Sequence, residues 1–297
     1  MSRETWAREF AATARAHWTE ARTRELTDGK QLAILPGEAP LLLRALGLLR
    51  RDATMPPREV RKFLQINNVV RVLRPTFDAL HAKHGALRVL DAGCGRSYLT
   101  LLVAWSARQR GQPLEVIGVD RDAAVIAECQ RRTEVAELAD VVKFVATPLE
   151  ALAGPDPFHA VFALHACDTA TCDAIAIGVA RQAELVAVAP CCQAELARAW
   201  TALADDPAAT GAFAPIWRAP HLRRETAAHM TDAMRTLLLR SAGYDVTAME
   251  FIAAEHTRKN TLLRALRHGV PDPVARAEYD ALVAATGGRG LALASRL

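Results

Sequence analysis

The sequence predicts an α/β fold with a parallel sheet behind a helical N-terminal part, on three observations. From Leu87 onward, short apolar runs alternate with helical stretches, the pattern of a parallel sheet covered on both faces. Before Leu87, apolar residues recur at helical spacing between Gly and Pro breakers. At the junction, Leu-Arg-Val-Leu-Asp-Ala-Gly-Cys-Gly-Arg-Ser-Tyr-Leu-Thr (87–100) is an apolar run that ends in an acid, turns on two glycines and starts an apolar helix.

Residues 3–27 carry Trp6, Phe10, Ala14, His17 and Trp18 at helical spacing, and Asp28-Gly29 stops them, so they read as one amphipathic helix. Ala39 to Leu49 reads as a second helix, after the Pro36-Gly37 turn. A third runs from Pro57 towards Lys83 and ends at Gly85. The strands are 88–91, 114–120, 141–145, 159–164 and 184–189, followed by a hairpin of 244–254 and 261–267 around Glu255–Asn260. A helix from Asp232 to Ser241 precedes the hairpin, with Met230-Thr231 as part of a lid, and 273–286 is a short closing helix. Domain boundaries follow: 1–80 helical, with a substrate-binding role open to it, and 81–297 built on the sheet.

The chain has 297 residues, 51% hydrophobic and 24% charged, which suits an ordinary soluble globule. Its formal net charge of +4 permits a nucleic-acid partner without requiring one. No run reaches membrane-spanning length and the first residues lack a signal-peptide core, so the expected location is cytoplasmic, with no membrane partner. Cys94, Cys129, Cys167, Cys172, Cys191 and Cys192 form no Cys-x-x-Cys pair and read as free thiols. The most basic stretch holds Arg50, Arg51, Arg58, Arg61, Lys62, Arg71 and Arg74 against Asp52 and Glu59. Arg61 and Lys62 are its candidate phosphate contacts, the alternative being a solvated helix face.

Gly93 and Gly95 let the backbone turn sharply and approach a ligand, and the free N–H groups of the helix beginning near Ser97 point at the same place. A dinucleotide fingerprint needs a third glycine where Tyr98 stands, and no Gly-Lys-Ser/Thr follows, which excludes a P-loop. The remaining Asp-x-Gly-x-Gly after a strand resembles the first motif of class I S-adenosylmethionine (SAM) methyltransferases. Ligands of open parallel sheets sit beyond the carboxyl ends of the strands. The candidate cofactor residues are therefore Asp91, Gly93, Gly95, Ser97, Tyr98, Asp120, Arg121, Thr147, Leu149 and His165, with Asp120 as acceptor for both ribose hydroxyls. Thr147 lies where many relatives have an acid for the adenine amino group; Thr147, Glu150 or a backbone group are all open for that contact.

The words after the next strands narrow the resemblance. His-Ala-Cys-Asp-Thr-Ala-Thr (165–171), Pro-Cys-Cys-Gln (190–193) and Glu-His-Thr-Arg-Lys-Asn (255–260) resemble a methyltransferase-like branch related to the ribosomal RNA adenine dimethylase domain-containing proteins, over about 57–268. The resemblance implies a Rossmann-like class I methyltransferase sheet of seven strands, the last antiparallel, with SAM as donor. It also implies that His165, Asp168, Cys191, Cys192 and Gln193 line the pocket. Cys172 stands where an acid is expected, so no required role follows for that thiol.

His165 and Asp168 are candidate proton acceptors or orienting groups, with a capping or cofactor-side hydrogen bond as the alternative for His165. For Cys191 and Cys192 three readings are open: a thiolate that adds to a pyrimidine ring for methylation at carbon 5, a zinc site with Cys167 and His165, or small residues packing a tight turn. No metal is assigned. Gln193, His256, Lys259 and Asn260 join Arg61 and Lys62 as candidate substrate contacts. The expected activity is SAM-dependent methylation of a base nitrogen in ribosomal or transfer RNA. Methylation of a protein side chain and a non-catalytic SAM-binding scaffold are the alternatives. Aromatic residues make up 5% of the chain and do not interleave with the basic stretch, so no stacking platform is visible.

Overall fold

Two positive-φ glycines and one capping threonine decide how the N-terminal helices divide. In the computed structural model, which describes residues 2–152, 157–164, 166, 168–190, 193–250 and 261–297, the first predicted helix is two, α1 (Arg3–His17) and α2 (Glu20–Thr27). Trp18 leaves helical geometry at ψ 67° and donates its indole N–H to the Ala53 carbonyl at 2.8 Å, and the Thr19 hydroxyl then caps α2. The second helix is also shorter than expected: α3 covers only Pro40–Ala45, because Gly47 at φ +74° closes it with Leu48 N–H on the Leu43 carbonyl. The third, α4 (Pro57–His84), ends on Gly85 as the sequence predicts. Buried Asn67 of α4 accepts from Ile34 N–H at 2.8 Å and donates back to its carbonyl, which pins the 28–39 loop onto the helix.

The strands follow the predicted windows: β1 (Leu87–Ala92), β2 (Leu114–Asp120), β3 (Val142–Ala146), β4 (Ala160–Leu164), β5 (Leu185–Ala189), β6 (Tyr244–Glu250) and β7 (Thr261–Arg267). Between them run α5 (Tyr98–Gln109), α6 (Ala123–Val135), α7 (Thr169–Ala180), α8 (Ala194–Asp205), α9 (Ala214–Arg218) and α10 (Pro220–Ser241), and α11 (Pro273–Ala285) follows β7. The strands form one seven-stranded mixed sheet in the order β3-β2-β1-β4-β5-β7-β6. β7 is antiparallel to both β5 and β6, the ending expected from the sequence.

The chain divides into two compact units, one reaching Pro148 and one beginning at Leu149. In the first, β1 and β2 pair in parallel with Ala92 opposite Val119, and Asp120 pairs with Ala146 of β3. That register puts the acids of β1 and β2 at the carboxyl ends of adjacent strands. In the second, all five residues of β5 are buried, as is the side chain of Tyr244, whose hydroxyl donates to the Ala183 carbonyl at 2.9 Å. The predicted lid is not there: α10 is continuous from Pro220, and Thr231 is fully buried with its hydroxyl on the Ala227 carbonyl. Its apolar stripe extends upstream of Asp232 through Ala227, so the helix starts earlier than the sequence window placed it.

Gly178 sits inside α7, where alanine would ordinarily gain up to about 1 kcal/mol of helix propensity. Here an added Cβ meets Val186 Cγ2 at 2.6 Å, and Val161 and Val186 are both fully buried and stiff at χ1. Overpacking at about 1–3 kcal/mol wins. Gly178→Ala is expected to lower the urea midpoint; a raised midpoint would show that β4 and β5 yield.

Candidate functional site

In the first unit the turn after β1 takes the left-handed conformation three times in five residues: Gly93 at φ +69°, Gly95 at +49° and Ser97 at +58°. Asp120 holds it from the end of the neighbouring strand. Its Oδ2 accepts from Gly95 N–H at 3.1 Å and its Oδ1 from Asp122 N–H at 3.0 Å, while Thr147 N–H donates to its backbone carbonyl at 3.0 Å. A Cβ on Gly95 would meet no atom within 4 Å, so the glycine borders open space. The N-cap residue Ser97 makes no side-chain capping bond to α5, so among the described residues no cap covers the amides that open the helix.

Asp91 is placed differently from a ligand contact. Its carboxyl is buried beneath the turn and accepts from the Thr100 hydroxyl in the first turn of α5, so it ties strand to helix. Burial pushes its pKa up to about 6, against the lowering effect of the Thr100 hydrogen bonds. Cys129 Sγ donates to the Gly95 carbonyl at 3.0 Å, backing the turn from α6. Thr100 and Cys129 escaped the sequence reading; a hydroxyl nine residues after the strand acid was the available signal.

Lys62 belongs to this turn as well. Its ammonium lies 3.4 Å from the centroid of the Tyr98 ring, apart in role from exposed Arg61 on the same helix. Arg132 adds a second cation at 5.7 Å from that ring. Arg121 is exposed, Thr147 half-buried and Leu149 buried.

In the second unit, the Asp168 backbone takes φ +51° at the start of α7 and its carboxylate is fully engaged. Oδ1 accepts from Ala194 and Glu195 N–H, both at 2.9 Å, which caps α8, and Oδ2 pairs with Arg198. Burial works against the charge, but the Arg198 bond and the two amides outweigh it and hold the pKa below the usual range. Buried Gln193 donates its Nε2–H to Asp232 Oδ2 at 2.9 Å. Arg235, fully buried, donates to Asp232 Oδ1 at 3.0 Å, to the Asp168 carbonyl at 3.0 Å and to Cys172 Sγ at 3.4 Å. The thiol at Cys172 is thus a packing and hydrogen-bonding group. Arg198, Asp232 and Arg235 were not singled out from sequence, although an acid and an arginine three apart on an otherwise apolar helix face was a readable sign. His165, Cys167, Cys191, Cys192, His256, Lys259 and Asn260 lie outside the described residues.

Residues 61–199 match a family model described as a methyltransferase domain. With the fold, this makes the protein a SAM-dependent methyltransferase. SAM is its cofactor. The turn suits that ligand: an uncapped helix N-terminus for a carboxylate, an acid at the end of β2 for hydroxyls, and open space beside Gly95. Two solved structures are similar to the methyltransferase. Cofactor-bound Rv0187 from MTB shares 20% identity over 84% of this chain and 96% of its own, with a TM-score of 0.44. The SAH-bound Podospora anserina methyltransferase PaMTH1 shares 15% identity over 84% of this chain and 97% of its own, also with a TM-score of 0.44. No curated protein matches the chain. No helix among the described residues is long and apolar enough to cross a membrane.

Asp120→Ala is expected to weaken SAM binding tenfold or more, about 1.4 kcal/mol, by calorimetry; unchanged affinity would remove the ribose assignment. For Asp91 the fold favours the neutral acid, so its stabilising effect is complete below about pH 4 and is lost as the pH rises through about 6. Asp91→Asn, which stays neutral, should gain about 3 kcal/mol on the wild type between about pH 4 and 7 in urea unfolding. A pH-independent difference would show that Asp91 does not titrate there.

Proposed function

We propose that this methyltransferase acts on RNA, at a base nitrogen of ribosomal or transfer RNA. The observation that carries the reading is the set of cationic side chains on α4 and the turn before it: Arg50, Arg51, Arg58, Arg61, Arg71 and Arg74 are all exposed. Long cationic side chains on one helix suit a run of phosphates. In this reading residues 1–80 are the RNA-binding part and 81–297 the catalytic part. Lys62 serves the cofactor turn rather than the phosphates, since its ammonium is already seated on Tyr98.

Bound SAM supplies a methyl group already activated on a sulfonium sulfur. The chain's task is to align the acceptor and to receive the proton that its nitrogen sheds. Asp168 acts as a positioning residue, because both its oxygens are engaged and its pKa is depressed. His165, three residues before it, is the proton acceptor we assign. His256, Lys259 and Asn260 are the substrate contacts in the same reading.

Mass spectrometry of nucleosides from cells lacking the gene should show one methylated base missing from ribosomal or transfer RNA; an unchanged set of marks overturns the reading. Replacing Arg58, Arg61 and Arg74 by Glu should weaken binding to total ribosomal RNA with SAM affinity unchanged. Its salt dependence should flatten by roughly one unit of log–log slope for each phosphate that no longer meets an arginine. Unaltered RNA affinity in low salt would remove α4 from the interface.

A further inference from the structure

Gln193 follows β5 and starts α8, and more than nine-tenths of it is buried. Its Nε2 is held by Asp232, yet its Oε1 is buried and has no hydrogen-bond partner among the described residues. A buried acceptor left unpaired costs about 1–3 kcal/mol, so this oxygen calls for a donor from outside the described residues.

The side chain cannot relieve the cost by rotating its amide. Asp232 accepts with both oxygens, one from Gln193 and one from Arg235, so a flipped amide would set Oε1 against a carboxylate oxygen. Arg235 in turn cannot let go, since it also donates to the Asp168 carbonyl. The guanidinium fixes the carboxylate, the carboxylate fixes the amide, and the atom left without a partner among the described residues is an acceptor. What completes it is a hydrogen-bond donor.

On this basis, and resting on the RNA reading above, we propose that Gln193 Oε1 accepts a hydrogen bond from the exocyclic amino group of the methyl-accepting base, and that Asp232 is the positioning residue that aims it. Ligands of open parallel sheets gather beyond the carboxyl ends of the strands, which is where Gln193 stands in the chain. Adenine, cytosine and guanine carry such an amino group and uracil does not. A site that pairs a buried acceptor with a substrate N–H rejects an analogue lacking it by several orders of magnitude. Selection among bases thus lies partly with Asp232 and Arg235, on a helix that holds no other assigned site residue.

The test uses full-length protein, labelled SAM and total RNA from a strain lacking the gene, with products read as nucleosides. The wild type should label an amino-bearing base. Gln193→Met, close in volume, should lower kcat/KM for RNA at least tenfold while SAM affinity stays within twofold. Asp232→Asn should do the same, because its amide accepts or donates and frees Gln193 to flip. The assigned Gln193 side-chain amide protons in nitrogen-15 spectra should lose protection from exchange in Asp232→Asn, a signal that general loosening, checked on core amides, would not confine to this residue. Should Asp232→Asn fail to fold, Gln193→Met alone decides. Full activity in Gln193→Met, or a methyl group on uracil or a ribose oxygen, overturns the inference and leaves RNA as the substrate. No transfer to RNA by the wild type overturns the RNA reading, and this assignment with it.

Discussion

The hydrogen bond from Gly95 N–H to Asp120 is the constraint on which the cofactor half depends. Three left-handed residues in five form an expensive stretch of backbone, and two of them are glycine for that reason. Ser97 is not, and its conformation persists because α5 begins on it, with Leu101 N–H on its carbonyl. The carboxylate at the end of β2 and the buried carboxyl of Asp91 grip the same turn, one at the rim and one beneath. Parallel pairing of β1 with β2 is what brings both acids to one end of the sheet.

The second unit solves a related problem with buried charge. Its junctions after β4 and β5 are joined by side chains rather than by backbone ladders: Asp168 caps α8, and Arg235 reaches the Asp168 carbonyl from α10. Ion pairs of this kind contribute little net stability against apolar replacements, because desolvation cancels most of the attraction. What they supply is geometry. Burial raises the pKa of Asp232, and Arg235 and Gln193 pull against that rise. The carboxylate therefore stays useful only while both partners remain.

Strands, sheet ending and glycine turn were legible because each is a local pattern: apolar runs ended by an acid, glycines where φ is positive, a polar loop between two final strands. The N-terminal break at Trp18 was less visible, since it depends on an indole bond to Ala53, 35 residues away. Asp91 illustrates a different limit. Its motif is plain in the chain, but whether an acid meets a ligand or a threonine depends on which side of the turn it faces. The network around Asp232 was hidden for a third reason: charged residues in a helix usually face water, and only packing reveals that Arg235 is wholly enclosed.

The enclosure of Arg235 has a consequence for how this chain tolerates change. Its two Nη groups serve different elements, Asp232 within α10 and the Asp168 carbonyl at α7, and only a planar fork can span them. A lysine keeps the charge but has a single nitrogen to offer. The position therefore resists the exchange that surface arginines accept readily, and substitutions at residues 168, 193, 232 and 235 should prove non-additive, behaving as one coupled unit.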